Sequence, residues 1–456
     1  MFRNAKNIHF VGIGGVGMSG IAELLLTLKF KVSGSDIRKN DTVKRLKKLG
    51  AKIYIGHKEE NVNKKVDVVV MTSAVNFKNP ELKKARQLKI PVIQRAEMLA
   101  ELMRLKQGIA VAGTHGKTTT TSILGSILNE AGIDPTTIVG GKFFNIGTNA
   151  QYGKGDYLLC EADESDGSFL HLSPIISIVT NIDNDHLDYY KTEENLHKTF
   201  LEFINRVPFY GFAVLNGDDK NIKKLFPKIH KKYYTYGFTK NNEFIPKNIK
   251  IHTKGVSFTL ERNGKKIGVF HINKFGKHYV LNSVASIVVA LELGIAVSKI
   301  AQGLEKFKGV GRRMEYIGVS NDVLIYDDYA HHPTELKATI QAFNMIPAKR
   351  RIGIFQPHRY SRTKLLADEF AQSFDGLDEL IITDIYPASE KPIKGISSKT
   401  IYSKIKNVPK IIYIKNKNEI AKKMVEHVKP GDLIISLGAG DVTKIGRELF
   451  GYLKGK

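Results

Sequence analysis

The sequence contains no tryptophan, a single cysteine and no long hydrophobic run. With Cys160 as the sole thiol, an internal disulfide is excluded, and such sparse cysteine usage fits a reducing compartment. The apolar run at 67–71 is far shorter than the roughly 20 residues that a membrane-spanning helix needs. The first residues lead directly into a strand-like segment and lack the apolar core of a signal peptide. We therefore expect a cytoplasmic protein with no membrane partner.

Acidic residues are scarce relative to basic ones, 45 against 70, which gives a formal net charge of +25. The lysines and arginines are spread over the chain in short pairs and form no long basic tail. The basic motifs with interleaved aromatic residues that are typical of nucleic-acid binding are also missing. We therefore predict no nucleic-acid partner, although the same positive field would favour a small polyanionic substrate.

A coarse unit recurs along the chain: a short β-branched run, a turn with glycine, and then a helical pattern. Such alternation predicts an α/β fold with mostly parallel sheets covered by helices. Three blocks of these units predict three domains: a Rossmann-like domain at 1–107, a central P-loop-type ATPase domain at 108–310, and a Rossmann-like domain at 311–456.

The first glycine loop, GIGGVG at 12–17, follows a predicted strand and precedes a predicted helix. Asp36 lies about 20 residues further on, as in dinucleotide-binding proteins. Glycines at these positions let the backbone and the helix N-terminus approach a diphosphate. The pattern alone leaves two ligands open, because NAD and a nucleotide sugar both carry a diphosphate.

The second glycine loop, AGTHGKTTTT at 112–121, has a shorter glycine spacing than the common P-loop. Its lysine, Lys117, can still reach a terminal phosphate, and the hydroxyl of Thr118 can coordinate Mg²⁺. Because a strand-like run precedes the loop and a helical pattern follows it, we predict a nucleotide triphosphate site here.

Two acidic groups follow predicted strands near this loop. The first, at 160–169, contains Glu161, Asp163, Glu164 and Asp166, and the second, at 177–188, contains Asn181, Asp183, Asp185 and His186. Oxygen-rich groups at strand ends beside a phosphate loop favour Mg²⁺. His186 is unusual in such a set, since imidazole suits softer metals better.

The C-terminal third carries two further polar clusters at predicted strand ends. The segment YDDYAHHP at 326–333 gathers carboxylates, Tyr329 and His331, and it enters a helix at Pro333. The segment QPHRYSRT at 356–363 adds Arg359 and Arg362, which are three residues apart and could clamp a carboxylate. Ligands of open α/β sheets bind beyond such strand ends.

These motifs, in this order and over the whole chain, resemble those of the Mur ligases of peptidoglycan synthesis. GTHGKTT is typical of the superfamily and accounts for the short glycine spacing, whereas YAHHPTE and QPHRYSRT are similar to the members that add L-alanine. The resemblance implies domains that bind a UDP-sugar, ATP and an amino acid, in that order. It also implies that ATP drives ligation of L-alanine to the lactyl carboxylate of UDP-N-acetylmuramate through an acyl phosphate, giving ADP and phosphate.

The resemblance assigns residues to the two nucleotide ligands. Those implied for the UDP-sugar are Gly14, Gly15, Gly17, Met18, Ser19, Ser35, Asp36, Thr72, Ser73, Arg95 and Asn181. Those implied for ATP are Gly113, Thr114, His115, Gly116, Lys117, Thr118, Thr119, His278, Asn282, Arg313 and Asp328.

The resemblance also implies which residues bind the amino acid, hold the metal ions and take part in the reaction. Those implied for L-alanine are Tyr329, His331, His358, Arg359 and Arg362. Two Mg²⁺ ions, replaceable by Mn²⁺, would be held by Thr118, Glu161 and His186. The direct participants in the reaction would be Lys117, Glu161, His186 and Arg313. We expect a monomer or a weak homodimer.

Three other interpretations remain open at the level of sequence. An NAD-dependent oxidoreductase would use the first glycine loop but leave the second loop without a role. A nucleic-acid-stimulated ATPase would use the basic charge. A murein-recycling relative would attach a whole peptide to UDP-N-acetylmuramate instead of one amino acid.

Overall fold

Three β-sheets organise the chain in the computed structural model, which describes residues 5–72, 75–145, 147–388 and 390–455, without the side chains of Leu187 and Asp188. The sheets contain five, ten and six strands. Most of the strand pairs are parallel, and helices connect many of the successive strands. The predicted α/β class with three mostly parallel sheet regions is therefore confirmed.

The N-terminal sheet has the strand order expected of a Rossmann-like domain. Its elements are β1 (Asn7–Val11), α1 (Val16–Thr27), β2 (Lys31–Asp36), α2 (Asp41–Lys48), β3 (Lys52–Ile55), β4 (Val68–Met71), α3 (Pro80–Gln87), β5 (Val92–Gln94) and α4 (Arg95–Met103). All strands are parallel, in the order β3-β2-β1-β4-β5. The order reverses beside β1, so the glycine loop that follows β1 opens into the crevice where such sheets bind ligands.

The central sheet places the second glycine loop between the two acidic groups. Its elements are β6 (Gln107–Ala112), α5 (Lys117–Glu130), β7 (Thr136–Phe143), β8 (Thr148–Gln151), β9 (Tyr157–Glu161), β10 (Ile176–Val179), α6 (Leu187–Tyr190), α7 (Glu193–Asn205), β11 (Phe212–Asn216), α8 (Lys220–Lys223), β12 (Tyr233–Tyr236), β13 (Phe244–His252), β14 (Gly255–Arg262), β15 (Lys265–Ile272), α9 (Lys277–Glu292) and α10 (Val297–Glu305). The strand order is β15-β14-β13-β12-β11-β10-β6-β9-β7-β8. Because β6 pairs in parallel with both β9 and β10, their carboxyl ends lie side by side.

The C-terminal sheet is parallel except for one antiparallel edge strand. Its elements are β16 (Glu315–Ser320), β17 (Val323–Asp328), α11 (Pro333–Phe343), β18 (Arg350–Phe355), α12 (Tyr360–Leu365), α13 (Ala367–Ala371), β19 (Glu379–Ile382), α14 (Lys399–Tyr402), β20 (Lys410–Tyr413), α15 (Ile420–His427), β21 (Asp432–Leu437) and α16 (Thr443–Lys454). The order is β16-β17-β21-β18-β19-β20, with β16 antiparallel to β17. Helix α11 begins at Pro333, as the sequence predicts.

The buried strands are rich in β-branched residues, as parallel sheets covered on both faces require. Strand β1 buries Ile8, Phe10 and Val11, and strand β21 is buried along its whole length. Short 3₁₀ helices complete the connections at Glu59–Asn61, Ser168–His171, Phe226–Lys228 and Lys417–Glu419. Among the described residues, no helix is long and apolar enough to cross a membrane.

The chain divides into two compact units. The first comprises Met1–Asn248, Phe258–Phe270 and Leu281–Lys308, and the second comprises Ile249–Ser257, His271–Val280 and Gly309–Lys456. The N-terminal sheet lies within the first unit and the C-terminal sheet within the second. The boundaries of the three predicted domains stay a prediction.

Candidate active site

The predicted phosphate-binding loop joins β6 to α5 through a turn that requires two glycines. Gly113 and Gly116 have φ angles of +130° and +84°, a conformation that residues with a Cβ rarely adopt. A Cβ on Gly113 would lie 2.1 Å from Thr180 Oγ1, and a Cβ on Gly116 would lie 3.0 Å from Asn282 Oδ1. This tight turn places Lys117 at the first position of the helix.

Asn181, which the sequence predicts at the UDP-sugar, lies against the phosphate loop. The backbone N–H of His115 donates to Asn181 Oδ1 at 2.9 Å, and Asn181 Nδ2 donates to the carbonyl oxygen of His115 at 3.0 Å. The hydroxyl of Thr180 donates to the same carbonyl oxygen at 2.6 Å. The oxygen and the nitrogen of the Asn181 side-chain amide therefore both hold the loop, and the contact of Asn181 with the sugar stays a prediction.

Other predicted ATP residues of the loop are also held in place. The backbone N–H of Asp183 donates to Thr114 Oγ1 at 2.9 Å, and His115 Nε2 lies 3.1 Å from Asp183 Oδ2. Thr119 is buried inside α5. The loop is therefore held by hydrogen bonds to the segment that follows β10.

Lys117 lies at the centre of this loop and is surrounded by oxygen atoms. Its Nζ donates to the carbonyl oxygen of Gly113 at 2.6 Å and to Glu164 Oε1 at 2.8 Å. Burial alone would lower the pKa of Lys117, but the charges of Glu164, Asp163 and Glu161 outweigh that effect and raise it. The ammonium group therefore stays charged, as neutralisation of a phosphate requires.

Glu164, the partner of Lys117, is a residue to which the sequence assigned no separate role. Only 1% of its surface is exposed, and burial raises its pKa to about 7 although Lys117 opposes that shift. His186 Nε2 lies 3.8 Å from Glu164 Oε1, and the hydroxyl of Tyr190 donates to the carbonyl oxygen of Glu164. The sequence signal was weak because four carboxylates within six residues look alike.

Thr118 and Glu161 are brought together as the predicted Mg²⁺ ligands require. Thr118 Oγ1 donates to Glu161 Oε2 at 3.0 Å, and the backbone N–H of Gly140 donates to the other carboxylate oxygen. Two adjacent oxygen ligands of an octahedral Mg²⁺ lie about 3 Å apart, because each is about 2.1 Å from the ion. The spacing and the oxygen chemistry of this pair therefore fit the ion.

His186, the third predicted ligand, lies beside a different carboxylate. Its Nε2 is 3.8 Å from Glu164 Oε1 and 3.7 Å from Asp185 Oδ2. Its backbone has a φ of +60°, which is uncommon for a residue with a side chain and is often found at functional sites. Its assignment to a second Mg²⁺ stays a prediction.

The first glycine loop is tied to the acidic residue that follows it. The backbone N–H of Gly14 donates to Asp36 Oδ2 at 2.9 Å, and Gly15 precedes the first turn of α1. The side chains of Met18 and Ser19 are buried in that helix, and the hydroxyl of Ser19 donates to a carbonyl oxygen one turn earlier. Asp36 thus supports the loop, whatever the ligand.

Ser35, predicted at the uridine end, belongs to a buried polar network. Its hydroxyl donates to Glu81 Oε2 at 2.5 Å and lies 2.9 Å from His57 Nδ1. Thr72 is only partly buried at the end of β4, and Ser73 lies outside the described residues. Ser35 therefore links the end of β2 to Glu81 of α3 and to His57, and its contact with uridine stays a prediction.

Arg95 links the first glycine loop with the acidic group of the central sheet. Arg95 Nη2 lies 2.9 Å from Asp163 Oδ2, and a Cβ on Gly17 would lie 3.1 Å from the Arg95 side chain. A guanidinium beside both a diphosphate loop and the Lys117 environment suits a bridging anionic substrate. The sequence did not predict the partnership with Asp163.

The second unit brings three of the predicted ATP residues together. The charge of Arg313 acts on both His278 and Asp328. Burial and this positive charge lower the pKa of His278 to about 4, so its imidazole is neutral at pH 7. Burial raises the pKa of Asp328, although Arg313 and two backbone N–H groups oppose the shift. Asn282 follows His278 one turn later on α9.

The predicted amino-acid residues also form one cluster in the second unit. The ring of His331 lies 5.1 Å from Tyr329 and 5.5 Å from His358, and Arg362 Nη1 lies 3.5 Å from His358 Nδ1. Burial and the neighbouring positive charges lower the pKa of His358 to about 3. Arg359 Nε is buried and makes no hydrogen bond to any described residue. Such a donor is available to a carboxylate ligand.

Three family profiles match the chain in order. The profile described as Mur ligase family, catalytic domain, matches residues 7–107; Mur ligase middle domain matches 111–290; and Mur ligase, glutamate ligase domain, matches 312–440. A UDP-N-acetylmuramate–L-alanine ligase from Geotalea uraniireducens is 50% identical over 457 aligned positions, which cover 100% of both chains. The chain belongs to the Mur ligase family. The resemblance drawn from its motifs is thereby confirmed.

Other Mur ligases show the same likeness. A UDP-N-acetylmuramate–L-alanine ligase from Geobacter sulfurreducens is 47% identical, with 100% of this chain and 99% of that one covered. The crystal structure of UDP-N-acetylmuramate-alanine ligase from Thermotoga maritima superposes with a TM-score of 0.85 at 28% identity, covering 99% and 100%. A murein peptide ligase from Psychrobacter arcticus gives a TM-score of 0.73 at 25% identity, covering 99% of each chain.

The low pKa of His278 predicts a loss of stability in mild acid. The folded-state pKa is about 4, against an ordinary value of 6.5, so between these values the unfolded chain binds a proton that the folded chain does not. Stability is therefore full above pH 6.5 and falls as the pH drops toward 4, by about 1.4 kcal/mol per pH unit for this one group.

The measurement is urea unfolding of the full chain and of His278→Asn at pH 7.5 and pH 5.0. We expect the free energy of unfolding to fall less on acidification in His278→Asn than in the wild type. His230→Asn, at an exposed histidine, is the matched control and should behave as the wild type does. Equal acid sensitivity of His278→Asn and the wild type would show that His278 titrates normally.

Proposed function

We propose that this Mur ligase joins L-alanine to the lactyl carboxylate of UDP-N-acetylmuramate, with ATP converted to ADP and phosphate, in peptidoglycan precursor synthesis. The observation that carries the proposal is 50% identity, over the full length of both chains, to a relative named for this reaction. The described geometry supports it, because a charged lysine and a pair of oxygen ligands meet on one phosphate loop. We place the reaction in the cytoplasm, in a monomer or weak homodimer that uses no nucleic acid or membrane.

At the phosphate loop, Lys117 exchanges the carboxylate of Glu164 for a phosphate oxygen of ATP. Transfer of a phosphoryl group depends mainly on neutralising its negative charge, which a fixed ammonium in a buried site does well. Thr118 and Glu161 would hold Mg²⁺, and His186 would hold a second ion with Glu161; Mn²⁺ could replace Mg²⁺. The metal supplies positive charge that brings the anionic carboxylate and the triphosphate together.

Residues of the second unit are also assigned to ATP. We assign Arg313 to the γ-phosphate, because its planar guanidinium can bind two oxygens at once. Asp328 is assigned to the ribose, and the neutral imidazole of His278, with Asn282, to adenine. The charge of Arg313 acts on both His278 and Asp328, which supports a shared ligand.

The sugar substrate is assigned to the first glycine loop. Gly14, Gly15 and Gly17 allow the diphosphate to approach the start of α1, and Arg95 neutralises its charge. Arg95 forms an ion pair with Asp163, and the charge of Asp163 in turn raises the pKa of Lys117, so the sugar loop and the phosphate loop share a charged neighbour. The lactyl carboxylate attacks the γ-phosphate to give an acyl phosphate, on which the amine then acts.

The amino acid is assigned to the cluster of Tyr329, His331, His358, Arg359 and Arg362. The buried Nε of Arg359 supports a carboxylate ligand there. Attack of the alanine amine on the acyl carbon forms the amide bond and releases phosphate.

A second candidate function is ligation of a whole peptide, as in the murein peptide ligase whose structure resembles this one at 25% identity. The higher identity to alanine-adding relatives favours L-alanine. Both alternatives predict that ATP is cleaved only with UDP-N-acetylmuramate present, unlike an NAD-dependent oxidoreductase.

The decisive experiment is phosphate release by the purified chain with UDP-N-acetylmuramate, ATP and Mg²⁺ and each acceptor in turn. We expect release with L-alanine and little with L-Ala-γ-D-Glu-meso-diaminopimelate. Preference for the peptide would establish the second candidate instead. Release that does not depend on UDP-N-acetylmuramate would contradict both.

Replacing Lys117 tests the phosphate loop. Lys117→Met keeps the aliphatic stem but removes the charge, so kcat should fall about 10³-fold or more, as for loss of a transition-state charge donor. UDP-N-acetylmuramate binding by calorimetry should be largely retained, because most of the residues assigned to the sugar lie on a separate sheet. The matched control, Lys240→Met at an exposed lysine, should retain full turnover. Near-normal turnover of Lys117→Met would remove this residue from the mechanism.

A further inference from the structure

The backbone that carries Arg313 is held in an unfavourable conformation. Arg312 has a φ of +61° and Met314 has a φ of +42°, both in the left-handed region that residues with a Cβ disfavour. Such a conformation is strained and persists only where the surroundings of the residue hold it. Something in the second unit must therefore fix this segment.

Three polar side chains bind consecutive backbone groups of the segment. The hydroxyl of Tyr279 donates to the carbonyl oxygen of Arg313 at 3.1 Å, and Lys274 Nζ donates to the carbonyl oxygen of Met314 at 3.3 Å. The backbone N–H of Met314 donates to Asp328 Oδ2 at 2.7 Å. Both peptide groups that flank the Cα of Met314 are thus held by side chains.

Lys274 and Tyr279 stand out because burying their polar ends is costly. Tyr279 is only 2% exposed, and burial lowers the pKa of Lys274 to about 8 although Glu315 and Asp328 oppose the shift. A buried ammonium or hydroxyl is retained only where its hydrogen bonds repay desolvation. For both side chains, the bond described here is to the strained segment.

The two neighbouring arginines have different surroundings. The guanidinium of Arg312 lies 3.3 Å from Asp327 Oδ2 and donates to the carbonyl oxygens of Gly438 and Ala439, so it ties the segment to the end of β21. The guanidinium of Arg313 lies 3.5 Å from Glu335 Oε1 and 5.2 Å from the centre of the Tyr329 ring, and its charge alters the pKa values of His278 and Asp328. The segment therefore separates a structural arginine from one that faces the assigned ATP residues.

We propose that Lys274 and Tyr279 are positioning residues that hold the 313–314 backbone so that the Arg313 guanidinium is aimed at the phosphate chain of ATP. The proposal rests on the proposed function, which assigns Arg313 to the γ-phosphate. Neither residue touches the reacting atoms; each acts through Arg313. Loss of either bond lets the strained segment relax and moves the guanidinium away from its ligand.

The test is a double-mutant cycle on ATP binding and turnover. Tyr279→Phe and Lys274→Met are made alone and together with Arg313→Ala, and calorimetry with a non-hydrolysable ATP analogue is measured beside the KM values for ATP and alanine. We expect each single variant to weaken analogue binding and raise the KM for ATP about tenfold, with the KM for alanine unchanged. In the Arg313→Ala background, neither change should weaken binding further.

Tyr234→Phe is the matched control, since it removes a buried tyrosine hydroxyl that donates to Glu292 outside any assigned site. It should leave both KM values unchanged. If Tyr279→Phe does not fold, the same cycle is measured with Lys274→Met and Arg313→Ala only.

Two results overturn the inference: full additivity with Arg313→Ala, or unchanged analogue binding in the single variants. Failure of the proposed function would look different, because the wild-type chain would then release no alanine-dependent phosphate. Additive losses in a chain that does release it overturn the positioning role alone.

Discussion

The charge balance around Lys117 is the constraint on which the rest of the site depends. A lysine buried in a glycine loop needs a compensating charge, and Glu164 supplies one at 2.8 Å. Removing one partner of such a buried ion pair typically lowers the stability of the protein by about 3–5 kcal/mol, because the other charge is left buried and uncompensated. A neutral solute therefore cannot take the place of the carboxylate beside the ammonium. Only a ligand with comparable negative charge can replace the carboxylate, and a triphosphate chain meets that requirement.

This constraint explains the placement of the neighbouring groups. Glu161 comes directly from the end of β9 and reaches Thr118, whereas Glu164 lies three residues later and reaches Lys117. Glu161, a predicted metal ligand, and Glu164, the counter-charge of Lys117, are thus supplied by one short stretch of chain at the end of β9. Asp163, between them, faces Arg95 and extends the charged network to the sugar loop.

The fold could be predicted from the sequence because its elements are marked by local patterns. The alternation of β-branched runs and helical segments indicated the three parallel sheets, and Pro333 marked the start of α11. The two glycine loops were also recognisable from their glycine spacing, and Gly113 and Gly116 of the second loop have positive φ angles that favour glycine. Local patterns did not reveal that Glu164 pairs with Lys117, or that Lys274 donates a hydrogen bond to the backbone of Met314. Several side chains of similar chemistry lie near each position in the sequence, and only the tertiary structure decides which of them comes close.

The most direct test of the account is a crystal structure of the chain with Mn²⁺ and a non-hydrolysable ATP analogue, with the metal located by anomalous scattering. We predict a manganese ion bonded to Thr118 Oγ1 and the Glu161 carboxylate, with Lys117 Nζ moved from Glu164 to a phosphate oxygen. A nucleotide bound elsewhere, with the Lys117–Glu164 pair and the Thr118–Glu161 hydrogen bond both intact, would contradict the account.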